Sequence, residues 1–292
     1  MTISAISSSI KHFYVQVRDF IFLILKHNIF FHSSAMSYYA ALAIAPFLLI
    51  LLQIGALLGN KIQTELITQT YFVMGPEVGS ITEMIFNNAN QLINLASISG
   101  IIGVATLLFT ASIFFIQLRF SLDSIYGHHD PEAIKPFFEV VKERIFSMGF
   151  VIGAAILFIA SMFVSNIMKY FIGTEIDDSI GGQIFSLILS FLMNMMIFTA
   201  IYYFAPSRTP KVKSALMISV FTSIAFLIGK ILLGYYFKNV ALGSVYGAAG
   251  TLLVFLVWAY YSSFTVFLSL EGYLFLHPEE SESRGKLSKI PA

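Results

Sequence analysis

The stretch Val257–Gly272 reads VWAYYSSFTVFLSLEG and contains one charged residue, Glu271, near its end. The residues before it carry no charge as far back as Asn239. A helix that crosses a bilayer needs about 20 mostly apolar residues, so this run is long enough to span a membrane. It predicts a transmembrane helix that places one carboxylate close to its last turns.

The composition of the whole chain supports the same interpretation. The 292 residues are 57% hydrophobic and 11% charged, whereas soluble domains carry about 25% charged residues. A water-soluble protein of this size could not hide so much apolar surface. The net charge of +1 includes no clustered basic excess, so we expect no nucleic-acid partner. With no cysteine, disulfides and thiolate metal sites are excluded, and we expect neither a metal nor a cofactor.

The apolar runs predict an all-α membrane domain over residues 35–276. An amphipathic cytoplasmic or interfacial segment (1–34) precedes it, and a cytoplasmic tail (277–292) follows it. The six predicted transmembrane helices cover about 35–59, 96–118, 145–170, 183–205, 214–237 and 247–276.

The distribution of lysine and arginine predicts the orientation. With the N-terminus inside, 13 of the 17 basic residues flank the inner ends of the helices and 3 flank the outer ends. Lys230 lies within a span. Cytoplasmic loops carry the excess of basic residues, so we predict that both termini are cytoplasmic.

Two segments outside the spans are also predicted to be helical. Residues 10–31 carry four charged residues among aromatic and aliphatic ones, which indicates an amphipathic helix on the membrane surface or, alternatively, a cytosolic extension of the first spanning helix. Residues 60–95 contain two apolar-periodic pieces broken at Gly75-Pro76. Glycine followed by proline at a helix start predicts an outer helical hairpin, with a re-entrant loop as the alternative.

Ionisable residues inside spans are costly and are therefore candidate functional residues. Lys230 and Glu271 differ in predicted depth by roughly 16 Å at about 1.5 Å per residue, so a direct salt bridge between them is not expected. Arg119 and Asp123 lie close in depth to Glu271, and we hypothesise a cluster of these three residues. The alternative is that Glu271 lies at headgroup level and contacts water.

Polar and aromatic residues within the spans supply further candidates. Lys230 either extends toward the outer interface or faces Gln53, where it could bind an anionic head group or carry a proton. Pro46 breaks the hydrogen-bond pattern in the middle of the first span and predicts a kink there, and Tyr38 and Tyr39 lie toward the inner end of the same helix. In the last span, the polar groups of Trp258 and Tyr260 need partners within the bundle.

Three segments resemble the YihY/BrkB family of bacterial inner-membrane proteins. They are SSAMSYYAALAIAPFLLILL (33–52), IQLRFSLDSIYG (116–127) and SVYGAAGTLLVFLVWAYYSSFTVFLSLEG (244–272), and the similarity covers about residues 10–276. The resemblance implies six spans with both ends in the cytoplasm, in the inner membrane. Its most specific positions are Tyr38, Tyr39, Pro46, Tyr246, Gly247, Trp258, Tyr260 and Glu271.

The chain departs from the family pattern at two places. Asp123 stands where the family often has asparagine, and Ser269-Leu270 stands where it often has Gly-Ala. The family also carries the label ribonuclease BN. A metal-dependent ribonuclease of that type needs a His-x-His-x-Asp-His cluster, which is missing from the chain, so we expect no ribonuclease activity.

These features favour a transporter or permease for a lipid-like or amphipathic solute, or for ions coupled to protons. The alternative is a non-transporting envelope scaffold or lipid-organising factor, favoured by the scarcity of polar residues in the spans. We do not expect an enzyme, because no nucleophile–base pair or paired-carboxylate site is present. Membrane lipids are the expected partners, and a homo-oligomer is possible.

Overall fold

The computed structural model describes residues 3–58, 60–74, 76–89, 98–127, 137–172, 180–239 and 248–280. Within these ranges the chain forms nine α-helices and no strand. A single 3₁₀ turn, Pro278–Glu280, follows the last helix. The helices are α1 (Ile3–Lys26), α2 (Ile29–Leu58), α3 (Asn60–Met74), α4 (Pro76–Ala89), α5 (Ile98–Tyr126), α6 (Phe137–Ile172), α7 (Ile180–Phe204), α8 (Val212–Asn239) and α9 (Ala248–Leu276).

Six of these helices are long and apolar enough to cross a membrane, which confirms the predicted all-α, six-span fold. The helix that contains the first span, α2, begins at Ile29, ahead of the predicted start at residue 35. The orientation of the termini stays a prediction. The six candidate spans are Ile29–Leu52, Ile102–Tyr126, Val141–Ala160, Leu187–Phe204, Val212–Tyr236 and Leu252–Leu276.

The N-terminal segment is a helix of its own, separate from the first span. A turn at residues 27–28 divides α1 from α2, and Asn28 adopts a positive φ of 50° there. Asparagine tolerates this left-handed conformation better than most residues, because its short polar side chain can hydrogen-bond locally. The helix is therefore interrupted between α1 and α2, and Phe20 of α1 packs on Phe275 of α9.

Helices α3 and α4 form the predicted hairpin, with Pro76 as the first residue of α4. Gly79 brings α4 close to α3, because a methyl group at this position would overlap the ring of Tyr71. The Tyr71 hydroxyl donates a hydrogen bond of 3.0 Å to Glu83. Burial raises the pKa of Tyr71, and the hydrogen bond and the charge of Glu83 raise it further.

The first turn of α4 lies deep in the bundle. Val78, two residues after the start of α4, is fully buried against Phe255 and Ala259 of α9. Its cluster also includes Ala40 and Ala41, which lie at the middle of the candidate span Ile29–Leu52. The hairpin therefore dips between the spanning helices, as in the re-entrant alternative.

Gly229 sets the distance between α8 and α9. A methyl group there would overlap the ring of Tyr261, whose hydroxyl donates a 2.8 Å hydrogen bond to the carbonyl of Ala225. The absence of a side chain at Gly229 thus lets a tyrosine reach across to the backbone of the neighbouring helix. Small residues have this role at many membrane helix contacts.

We expect Gly229→Ala to destabilise the bundle by about 1–3 kcal/mol, because the added methyl displaces Tyr261. Each kcal/mol lowers the melting temperature by roughly 2–4 °C in a protein of this size. Gly234→Ala is the matched control, since a methyl at Gly234 meets nothing within 4 Å. Thermal unfolding of the purified protein in detergent measures both, and equal melting temperatures for the two variants would contradict the close approach at Gly229.

Candidate functional site

A buried pair joins the turn between α1 and α2 to the last spanning helix. His27 Nδ1 lies 2.8 Å from Glu271 Oε2. The Glu271 side chain is 0% exposed and that of His27 is 12% exposed. The carboxylate singled out from the sequence is thus held inside the protein, against the alternative that it contacts water at the surface.

Backbone hydrogen bonds position His27 for this contact. Its N–H donates to the carbonyl of Leu23, and the N–H of Asn28 donates to that of Leu25. The N–H of His32 then donates to the carbonyl of Asn28. The last turn of α1 and the first turn of α2 are therefore both closed around the break, which fixes His27 between them.

Sequence reasoning missed His27. The pattern of residues 10–31 favours one continuous helix, in which residue 27 is one position on the surface. The available signal was the sequence Lys26-His27-Asn28, in which a basic residue and an asparagine mark a helix end. Recognising that break would have placed a histidine at the inner end of the first span, at the same predicted level as Glu271.

The hypothesised cluster of Arg119, Asp123 and Glu271 is replaced by three separate contacts. Asp123 accepts two hydrogen bonds from Ser207, one from the backbone N–H at 2.8 Å and one from the hydroxyl at 2.5 Å. The Arg119 guanidinium lies over the ring of Phe146, 5.0 Å from its centroid. The loop between α7 and α8 provides donors directly beside Asp123, and the side chain of Arg119 points toward α6.

The contact with Ser207 is compatible with either aspartate or asparagine at position 123. An asparagine could accept the same N–H through its carbonyl oxygen and donate from its amide to the serine hydroxyl. Asp123 therefore closes the loop between α7 and α8 in a way that asparagine can reproduce.

Other polar contacts tie the same end of the bundle together. His32 Nδ1 lies 3.0 Å from Ser121 Oγ, which joins α2 to α5. Ser214, at the start of α8, donates a 3.1 Å hydrogen bond to Glu280, and Lys211 Nζ lies 3.9 Å from the same carboxylate. The first turns of α2 and α8 and the ends of α5 and α9 thus meet in one polar layer.

Deeper in the bundle, tyrosine hydroxyl groups bridge helices. Tyr202, fully buried on α7, donates to the carbonyl of Val266 at 2.8 Å and lies 2.7 Å from the hydroxyl of Thr222. One side chain therefore links α7, α8 and α9. Neither Tyr202 nor Thr222 was among the candidates from the sequence, because isolated tyrosines in apolar runs give no information on which way they face.

The aromatic candidates of the sequence lie in different surroundings. Trp258 is half-buried between Phe226 and Phe255, and Tyr260 stacks on Phe264. Tyr38 and Tyr39 contact each other edge to face, with Tyr38 exposed. Pro46 is buried within α2. These residues are therefore distributed along the bundle and are not gathered in one site.

The predicted contact between Lys230 and Gln53 cannot be placed. Lys230 is half-buried on α8. The side chain of Gln53 and the whole of Tyr246 lie outside the described residues. Among the residues that are described, no group of three or more histidine, aspartate and glutamate side chains is arranged to hold a metal ion.

A family model described as "Virulence factor BrkB" matches residues 23–289. The chain belongs to the BrkB family. This confirms the resemblance carried by the three sequence segments. The match includes both members of the pair, His27 and Glu271.

Curated relatives of this BrkB-family chain share about a quarter of its residues. The UPF0761 membrane protein of Actinobacillus pleuropneumoniae is 24% identical over 260 residues, which is 83% of this chain and 88% of the relative. That of Haemophilus influenzae is 24% identical, covering 77% of this chain and 81% of the relative. A Bacillus subtilis protein named ribonuclease-like, YfkH, is 26% identical, covering 84% and 89%. No solved structure matches the chain.

The His27–Glu271 pair predicts strong coupling between the two side chains. His27→Leu should lower the free energy of unfolding by about 3–5 kcal/mol, because the buried Glu271 carboxylate loses its partner. The double variant His27→Leu/Glu271→Leu should cost less than the sum of the single variants. These four proteins form a double-mutant cycle. Unfolding in mixed micelles measures the free energy of unfolding of the wild type, of each single variant and of the double variant.

His277→Leu combined with Glu271→Leu is the matched control for this cycle. His277 stacks on Tyr273 at the end of the same helix. The effects of these two substitutions on the free energy of unfolding should add within about 0.5 kcal/mol. An additive result for His27 and Glu271 as well would contradict the pair.

Asp123 should control access to the loop between α7 and α8. We expect Asp123→Ala to speed tryptic cleavage after Arg208 several-fold, because Ser207 loses both acceptors, whereas Asp123→Asn should stay close to the wild type. Limited trypsin digestion of inside-out vesicles measures the cleavage rates. Equal rates for the alanine and asparagine variants would show that the carboxylate does not hold the loop.

Proposed function

We propose that this protein is a membrane transporter of the cytoplasmic membrane, with closures at opposite ends of its helical bundle. The α3–α4 hairpin closes the end predicted to be external. The His27–Glu271 pair closes the end predicted to be cytoplasmic. The proposed substrate is a lipid-like or amphipathic solute or an ion, moved in exchange with or together with protons.

The depth of the hairpin is the observation that carries this proposal. Helical hairpins that enter a membrane bundle are tolerated where protein or a water-filled cavity surrounds them. Transporters use interrupted helices of this kind near the centre of the membrane. The burial of Val78 among Ala40, Ala41 and Phe255 supports such a position for the first turn of α4.

The His27–Glu271 pair provides a means of coupling to protons. Histidine is charged only when protonated, and a buried carboxylate is strongly attracted to that charge. Adding a proton to Glu271, or removing one from His27, weakens the attraction and loosens α1 from α9. Intramembrane histidine and glutamate residues serve as proton relays in many pumps and transporters.

Transport is favoured over ribonuclease activity, and we propose that the protein is not an enzyme. The name of the Bacillus subtilis relative refers to a ribonuclease, but the present chain lacks the His-x-His-x-Asp-His sequence that a metal-dependent ribonuclease of this type needs. The predicted orientation, with both ends cytoplasmic, belongs to the same proposal and is supported by the distribution of basic residues.

A scaffold or lipid-organising role is the second candidate. It is favoured by the apolar packing at the hairpin, where Leu66 of α3 is fully buried against Leu48 and Leu51 of α2. Such packing would hold a rigid bundle together without any transport cycle. The same experiment separates the two functions.

The test is flux into proteoliposomes that contain a trapped pH-sensitive dye and a fluorescent phospholipid whose flipping is followed by dithionite quenching. We expect the wild type to exceed empty vesicles in one of the two signals, and Glu271→Gln and His27→Gln to lose most of that signal. His277→Gln is the matched control and should keep it. Signals from the wild type equal to those of empty vesicles would reject transport of protons and lipids and favour the scaffold.

A further inference from the structure

A second buried histidine lies further into the bundle than the His27–Glu271 pair. His32, on α2, is 6% exposed and falls within the candidate span Ile29–Leu52. Its ring centroid lies 6.2 Å from that of Phe267, which precedes Glu271 by four residues on α9. Because His27 lies beside Glu271 and His32 beside Phe267, the two segments run in opposite directions here. His32 is therefore roughly 6 Å, or one helical turn, deeper than the pair.

His32 is hydrogen-bonded to a serine of α5. Its Nδ1 lies 3.0 Å from the hydroxyl oxygen of Ser121, which is fully buried. The side-chain amide of Gln117, one turn earlier on α5, donates a 3.2 Å hydrogen bond to the same oxygen. Since α5 ends at Tyr126, Gln117 is further from the end of this helix than Ser121 is. The polar side chains therefore continue inward from His32 through Ser121 to Gln117.

A serine hydroxyl suits a histidine that changes its protonation state. The hydroxyl oxygen accepts two hydrogen bonds, and its hydrogen donates one. While Gln117 donates to the oxygen, the Ser121 hydrogen can bond to Nδ1 of a neutral His32. When Nδ1 carries a proton, it donates to the second lone pair of the oxygen, and the hydroxyl hydrogen turns to the carbonyl one helical turn earlier. The same three side chains can thus hold both forms of the imidazole.

The charged residues of the neighbouring helices show which group can exchange a proton with His32. Helix α5 carries two, and both have other contacts: Arg119 lies over a ring of α6, and Asp123 bonds to the loop between α7 and α8. Helix α9 carries one, Glu271, a single turn from the phenylalanine that flanks His32. Helix α2 itself has no lysine, arginine, aspartate or glutamate. Glu271 and its partner His27 are therefore the titratable groups next along the row.

We propose that His32 is the next proton-binding site inward from the His27–Glu271 pair, with Ser121 and Gln117 as the residues that position its ring. The inference rests on the proposed proton-coupled transport. A proton leaves the imidazolium of His27 or the carboxyl group of Glu271 and binds the neutral imidazole of His32, and no other bond is made or broken. Two hydrogen bonds through one water cover a gap of about one helical turn once the pair opens.

The test of this path is proton flux into proteoliposomes that contain a trapped pH-sensitive dye. We expect His32→Gln to lose most of the wild-type flux, because an amide can bond to Ser121 but does not take up a proton. Ser121→Ala should reduce the flux. Ser33→Ala is its matched control and should keep the flux, since the hydroxyl of Ser33, also fully buried, donates to a carbonyl of its own helix. Wild-type flux in His32→Gln, or equal flux in the two serine variants, would overturn the inference.

The same experiment separates this inference from the proposed function. Flux that is lost in Glu271→Gln but kept in His32→Gln rejects the role of His32 and leaves the pair as the coupling site. A wild type without proton flux rejects both.

Nitrogen NMR of the full chain, labelled with ¹⁵N-histidine and held in bicelles, tests proton binding directly. The His32 signal is identified by its absence in His32→Gln or, if that variant does not fold, by its displacement in Ser121→Ala. We expect it to change from the neutral to the charged form between about pH 8 and pH 5, the range in which histidine changes its charge. A signal that keeps one form throughout this range would overturn the site, because a histidine that serves only to join α2 to α5 has no need to titrate.

Discussion

A carboxylate inside an apolar helix is the constraint on which the architecture depends. Glu271 lies in a candidate span and has no exposure to solvent, so its charge must be balanced within the protein. His27 supplies that balance because the helix is interrupted at residues 27–28, where the imidazole lies beside the end of α9. The helix break, the position of α1 and the burial of Glu271 are thus parts of one arrangement.

The same requirement for internal partners shapes the rest of the bundle. Hydroxyl groups of Ser33, Thr199 and Thr222 donate to carbonyls one turn earlier in their own helices. Tyr202 and Tyr261 instead donate to carbonyls of neighbouring helices, which links α7, α8 and α9. Polar side chains in the spans therefore bond either within their own helix or to a neighbouring helix, and His27 and Glu271 join the turn before α2 to α9.

The sequence was sufficient to predict features that depend on position along the chain. Apolar length predicted six spans, and proline after glycine predicted the hairpin that begins α4 at Pro76. The scarcity of charge identified Glu271 as an exceptional residue. The end of the second span was less well predicted, because α5 continues past the expected end at residue 118 to Tyr126 and leaves Arg119 about two turns inside the helix.

The partners of these residues could not be predicted, because they depend on the rotation of each helix about its axis. Arg119 has the depth to meet Glu271 but faces Phe146 on α6. Asp123 faces a loop whose conformation has no periodic signal in the sequence. The depth of the hairpin could not be predicted either, because its apolar pattern is compatible with a position on the membrane surface or inside the bundle.

Chemical cross-linking tests the central claim, that His27 of the N-terminal turn lies beside Glu271 in the membrane. The chain has no cysteine, so cysteines placed at positions 27 and 271 are its only thiols. A short bifunctional thiol reagent, applied in native membranes before tryptic cleavage after Arg208, should leave the two fragments joined. A pair at positions 14 and 271 should not be joined, because Tyr14 lies more than three helical turns before His27 on α1. Fragments that separate equally in both pairs would contradict the account.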